Sequence, residues 1–165
     1  MQFHVGDRVF HPVHGVGQIE TIEKKKFLGN VPRLYYQVHA EKSTVWVPVD
    51  AQQEIGLRLL TPKRDLERFR NILKSKPASL TDNHSKRHLE IASRLSGGSL
   101  EMMCQAVRDL AARGWKQSLS SADAASLRKA RDRLYQEWAA AEGVSVSQAT
   151  EEVEALLSQA QKAYK

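Results

Sequence analysis

The sequence predicts an α+β protein, a small and strongly bent β-barrel followed by an all-helical bundle. Over residues 7–60 the apolar residues alternate in short runs broken by Gly, Pro and Asn turns, the signature of half-buried strands. From residue 61 onward they recur at three- and four-residue spacing, which is helical. The change falls at Thr61-Pro62, a good helix N-cap followed by a residue suited to the first helical position. Two domains follow, residues 1–60 and 61–165.

The barrel begins with Gly6-Asp7, a tight turn in which Asp can bond its own backbone. Strands are predicted over Arg8–Pro12, Gly17–Lys26, Arg33–His39 and Thr44–Pro48, with a short one at Leu57–Leu60. Pro12 suits a strand end, and Gly15 and Gly17 permit a sharp reversal. In the third strand Leu34, Tyr36 and Val38 share one face, and Tyr35, Gln37 and His39 the other. In the fourth, Val45 and Val47 point inward and Trp46 outward. An outward Trp reads as an interface residue; shielding by Tyr35 or the Lys24–Lys26 stems is the alternative. Asp50–Ile55 makes one helical turn, stopped by Gly56. Such short strands suit any SH3-like or Tudor-like barrel.

The helical part starts with Leu66, Phe69, Ile72 and Leu73 at core spacing, and Lys76-Pro77 ends that helix. Three or four more are predicted, roughly Asp82–Ser96, Ser99–Lys116, Ser121–Glu142 and Ser145–Tyr164, with breaks at Gly97-Gly98 and Gly143. Ser145 and Gln148 fit a capping box. The expected core faces are Leu89/Ala92/Leu95, Met103/Val107/Leu110, Leu127/Ala130/Leu134 and Val153/Leu156/Leu157.

Net charge is +6, unevenly spread. Residues 1–60 carry 7 Lys/Arg and 6 Asp/Glu, residues 61–133 carry 16 and 8, and residues 134–165 carry 2 and 5. A central basic block suggests a polyanion partner, most often nucleic acid; solvated helix faces are the bland alternative. No apolar run approaches the ~20 residues of a membrane span, and the start lacks a signal-peptide core. With a single cysteine, Cys104, no internal disulfide can form, which fits a reducing cytoplasm.

No nucleophile–base arrangement, phosphate-binding loop or zinc motif appears, so no enzyme and no cofactor are expected. Cys104 reads as core beside Met102 and Met103. His84 and His88 stand four apart on a helix, but two imidazoles without a third ligand make a weak metal signal. Local hydrogen bonds account for His11 and His14. The informative helical stretch is Asn83-His84-Ser85-Lys86-Arg87-His88, at a helix start where phosphate is favoured. Arg113, Lys116, Arg128, Lys129, Arg131 and Arg133 extend the positive surface. Helical spacing turns only part of that set one way; the rest is solvated or paired with Asp123 and Asp132.

The order V-G-D-x-V-x-x-P-x-H-G-V-G, from Val5 to Gly17, resembles the opening of the CarD/CdnL family of bacterial transcription regulators. It is also similar to the polymerase-interacting module of the transcription-repair coupling factor. Thr44-Val45-Trp46-Val47-Pro48-Val49 and the following Gly56 resemble further family positions. So do Ser85-Lys86-Arg87, Val107-Arg108-Asp109-Leu110, Leu119-Ser120 and Lys129-Ala130-Arg131. The resemblance covers nearly the whole chain.

It implies a Tudor-like module that binds the RNA polymerase β subunit, with Lys25, Trp46, Val47 and Pro48 at the contact. It also implies a helical domain that reaches promoter DNA at the upstream edge of the bubble and stabilises the open complex. His84, Lys86, Arg87, Arg113, Lys116, Arg128 and Lys129 are the residues expected there. DNA binding is expected to be weak and without sequence preference, in the cytoplasm and on the nucleoid through polymerase. Two departures from the family stand out, one in each domain. His84 stands where relatives carry a wedge Trp, with less apolar area, and Trp115 lies a helix away and does not substitute for it. Lys25 and Trp46 stand where relatives can carry Arg; Lys25 keeps the charge without the bidentate fork. A polymerase-bound adaptor without a productive DNA wedge is the alternative.

Overall fold

The computed structural model describes residues 3–96 and 98–165. The chain divides into two compact units, one ending at Leu60 and the other starting at Thr61. The first holds strands β1 (Arg8–His11), β2 (Gly15–Lys25), β3 (Arg33–Ala40), β4 (Thr44–Pro48) and β5 (Arg58–Leu59). They form one antiparallel sheet in the order β4-β3-β2-β1-β5. A bulge breaks the β2–β3 register between Ile19 and Thr21, and such a bulge adds the local bend by which a small sheet curls over its core. That core is Phe3, Val9, Ile19, Tyr36, Val38, Val47 and Leu57. The buried Tyr36 hydroxyl donates to Gln52 Oε1 at 2.7 Å.

The bend between β1 and β2 is held by His11, whose Nδ1 accepts from the backbone N–H of Val13 at 3.0 Å and of His14 at 3.2 Å. A local bond therefore does account for His11. Helix α1 (Gln52–Ile55) ends, as the sequence predicts, at Gly56, whose φ of 87° is the left-handed region that glycine favours.

Gly17 has a different role from the one its sequence suggests. It is not a reversal residue: β2 starts at Gly15, and Gly17 sits within the strand, between Val9 of β1 and Ala40 of β3. A Cβ there would lie 2.8 Å from Val38 Cγ1 and 3.0 Å from the carbonyl oxygen of His39. A strand carbonyl cannot step aside cheaply, so Gly17→Ala is expected to cost about 1–3 kcal/mol, read as a lower urea midpoint for the β unit.

The second unit opens with a 3₁₀ turn, Lys63–Asp65. Helices α2 (Leu66–Leu73), α3 (His84–Ser96), α4 (Leu100–Lys116), α5 (Ser121–Glu142) and α6 (Val146–Tyr164) follow. Helix α2 ends at Leu73, before Lys76-Pro77. Ser99, Ser120 and Ser145 cap α4, α5 and α6, the last in the expected capping box with Gln148. Thr61 is not a helix cap. Its N–H and hydroxyl donate to the buried Glu137 carboxylate at 3.2 and 2.7 Å, which pins the first residue of the unit to α5.

The expected core faces of α4, α5 and α6 are buried. That of α3 is not. Leu89 is 69% exposed and Ala92 is exposed, whereas Ile91 and Arg87 are buried. The face bearing Arg87 and Arg94 turns inward because each guanidinium finds a buried carboxylate, Asp123 for Arg87 and Asp109 for Arg94. Of the predicted Gly97-Gly98 break, Gly97 lies outside the described residues, and Gly98 has φ 77°. No described helix is long and apolar enough to cross a membrane.

Candidate functional site

In the β unit, β4 is a sheet edge: one side pairs with β3, and no strand among the described residues pairs with the other. An unpaired edge offers main-chain donors and acceptors to a partner strand. Beside that edge, Trp46 is half-buried, opposite Gln37. Lys25 Nζ lies 5.0 Å from the Trp46 ring centroid, and the ring of Phe27 stands edge-on to it at 5.6 Å. Phe27 also covers Tyr35, with centroids 5.0 Å apart, so Tyr35 is buried although it lies on the outer face. Shielding and exposure thus both apply to Trp46, and the shield is Phe27 with Lys25. Phe27, Leu28 and Val31 at the β2–β3 connection are themselves 53%, 70% and 70% exposed. This aromatic platform beside an open edge was missed from sequence, although three apolar residues near a hairpin turn were a readable signal.

Of the four residues expected at this contact, Lys25, Trp46 and Pro48 keep exposed area. Val47 is 1% exposed and gives its side chain to the core, leaving only its backbone on the edge strand.

In the helical unit, His84 and Lys86 are exposed at the start of α3, where the Asn83 side chain accepts from the Lys86 N–H at 2.9 Å. Arg87 is not exposed with them. Its Nε donates to Asp123 Oδ2 at 2.8 Å and its Nη1 to the carbonyl of Thr81 at 3.0 Å. A guanidinium so occupied has no charge to offer a phosphate, and Arg87 locks the start of α3 onto α5. Arg113 pairs with the exposed Asp82 at 3.2 Å, Lys116 is exposed at the end of α4, and Arg128 and Lys129 are exposed on α5. Arg131 lies against Glu154 at 3.5 Å. Burial lowers the pKa of Arg133.

Much of the central positive charge is therefore internal. Asp109 accepts from Arg94, Arg108 and the Ala78 N–H. Arg70 donates to Glu142 at the end of α5 and to Glu152 of α6, each at 2.7 Å, so part of the acidic C-terminal stretch serves to hold α5 and α6 to α2. Burial, with Glu137 second, pushes the Cys104 thiol well above its ordinary pKa, as suits a core cysteine. Among the described residues no group of three His, Cys, Asp or Glu is placed to hold a metal.

Residues 3–60 match the family described as CarD-like/TRCF RID domain, and residues 68–154 match CarD, C-terminal domain. The chain belongs to the CarD family. It is thereby a member of a transcription-factor family with a polymerase-interacting type of N-terminal domain. It is also 24% identical, over 147 residues, to "Putative transcription factor YdeB" of Bacillus subtilis (strain 168), which covers 88% of this chain and 96% of that protein. In this CarD-family chain the opening motif builds β1, the His11 bend and the start of β2. The Asn83–Arg87 stretch builds the capped and pinned start of α3.

Proposed function

We propose that this CarD-family chain is a transcription regulator that binds the RNA polymerase β subunit through its β unit and contacts promoter DNA with its helical unit at the upstream edge of the bubble. The observation that carries the reading is the open β4 edge beside the Trp46–Lys25–Phe27 platform. An edge strand adds a partner strand through main-chain hydrogen bonds, and a neighbouring aromatic anchor supplies specificity. His84 and Lys86, at the start of α3, and Arg128 and Lys129, on α5, are an exposed ring and exposed cations available to DNA. They position the protein on phosphate without reading sequence, so polymerase delivers it to promoters.

The test is a DNA footprint of the promoter complex with and without the full chain. Added protection at the upstream fork, lost in Lys86→Gln together with Lys129→Gln, is the expected result. Polymerase binding with an unaltered footprint would make the chain an adaptor instead.

A further inference from the structure

The helical unit carries a groove that this reading does not use. Its volume is about 300 Å³, at the small end of the range for ligand pockets. The segment joining α2 to α3 forms one wall and the C-terminal half of α4 the other, with Tyr164 from α6 at its margin. Trp115, half-buried, and Tyr164, 43% exposed, give it two aromatic rings. Lys76 and Lys116 give it two exposed cations, and a third, Arg113, is 14% exposed and paired with Asp82. Against these stand two carboxylates. Asp109 is already matched by Arg94 and Arg108, and Asp82 by Arg113. The groove is thus aromatic and net positive.

Such a combination suits an unpaired base with its phosphate. Every base has a face to stack on an aromatic ring, and cations beside the ring track the backbone. Position points the same way. Asp82, which lines the groove, bonds Arg113 within it and lies two residues before His84, so the groove opens next to the exposed start of α3. A duplex end resting near His84 and Lys86 would bring a strand leaving that duplex to Trp115.

We propose that the Trp115–Tyr164 groove is a stacking site for an unpaired base of single-stranded DNA, with Lys76 and Lys116 on its phosphates. This rests on the helical unit facing DNA, and it adds a single-strand site to that surface.

The test uses the full chain labelled with 5-fluorotryptophan, whose resonances for Trp46, Trp115 and Trp138 are assigned by single Trp→Phe changes. The probes are a 12-nucleotide oligothymidylate, a blunt duplex of equal length and thymidine monophosphate, at low salt. The oligothymidylate is expected to shift the Trp115 resonance and to leave that of Trp138, which is buried, in place. Trp115→Ala is expected to weaken oligothymidylate binding about 5- to 100-fold, as loss of one stacked base would. Trp115→Phe should retain most of it, which separates stacking from a folding defect. Lys116→Gln should reduce the salt slope for the oligothymidylate by about 0.7.

An unmoved Trp115 resonance at saturation, or Trp115→Ala binding like wild type, would overturn the inference. If the duplex still bound through Lys86 in either case, the wider DNA reading would stand; if neither DNA form bound, both would fall. Binding of thymidine monophosphate as tight as that of the oligonucleotide would overturn the assignment to DNA.

Discussion

Arg87→Ala is expected to destabilise the helical unit by about 3–5 kcal/mol, a large part of the ~5–15 kcal/mol that holds a domain folded. The Arg87 and Asp123 side chains are 5% and 3% exposed, and their bond is 2.8 Å long. Removing the guanidinium leaves a buried carboxylate without its counter-charge and the Thr81 carbonyl without a side-chain donor. Lysine should rescue little, because one ammonium cannot reproduce a planar fork that serves two acceptors at set angles. The check is urea unfolding of Arg87→Ala, Asp123→Asn and the double variant. The double variant is expected to lose clearly less than the two single losses added together, since it holds neither unpaired charge. If Arg87 were instead a phosphate contact, stability would hardly move, and the salt slope of DNA binding would fall by about one.

The second large effect is expected at Trp46. Trp46→Ala should weaken the complex with RNA polymerase about 30-fold or more, the scale on which buried interface tryptophans act. The ring is only half-buried in the free chain, where Lys25 and Phe27 flank it, so its loss should barely lower the melting temperature. Phe27→Ala should show a smaller loss of affinity, because Phe27 orients Trp46 and adds exposed apolar area of its own. Titration of polymerase with the labelled full chain measures both. Equal affinity of Trp46→Ala and wild type would remove the β4 edge platform from the interface.

What the sequence made legible, and what it did not, follows from how local each determinant is. Thr44–Pro48 matches β4 residue for residue, and the Ser145/Gln148 box lies within four residues, so both are readable from local pattern. The inward face of α3 is not local. Arg87 meets Asp123 36 residues away and Arg94 meets Asp109 15 away, and a charged face turned inward defeats any pattern built on apolar spacing. The basic block misleads for the same reason, as Arg70, Arg87, Arg94 and Arg108 are all bonded to acids within the unit. Gly17 shows the reverse case. Its strand neighbours, not its own torsion angles, forbid a side chain, and strand pairing is invisible before the fold is known. Within the candidate site, Trp46 and Lys25 could be named from sequence. Phe27 was readable only as one of three apolar residues near a turn; its contacts with Tyr35 of β3 and Trp46 of β4 depend on strand pairing.

The most direct measurement of the central claim is the lifetime of the open promoter complex, on a ribosomal-type promoter with the organism's own polymerase. Wild type, Trp46→Ala, His84→Ala and His84→Trp should be compared. Wild type is expected to lengthen the lifetime and Trp46→Ala to abolish the effect. His84→Trp should lengthen it beyond wild type, because an indole offers more apolar area against a base step than an imidazole. A wild-type protein that binds polymerase and leaves the lifetime unchanged would contradict the account.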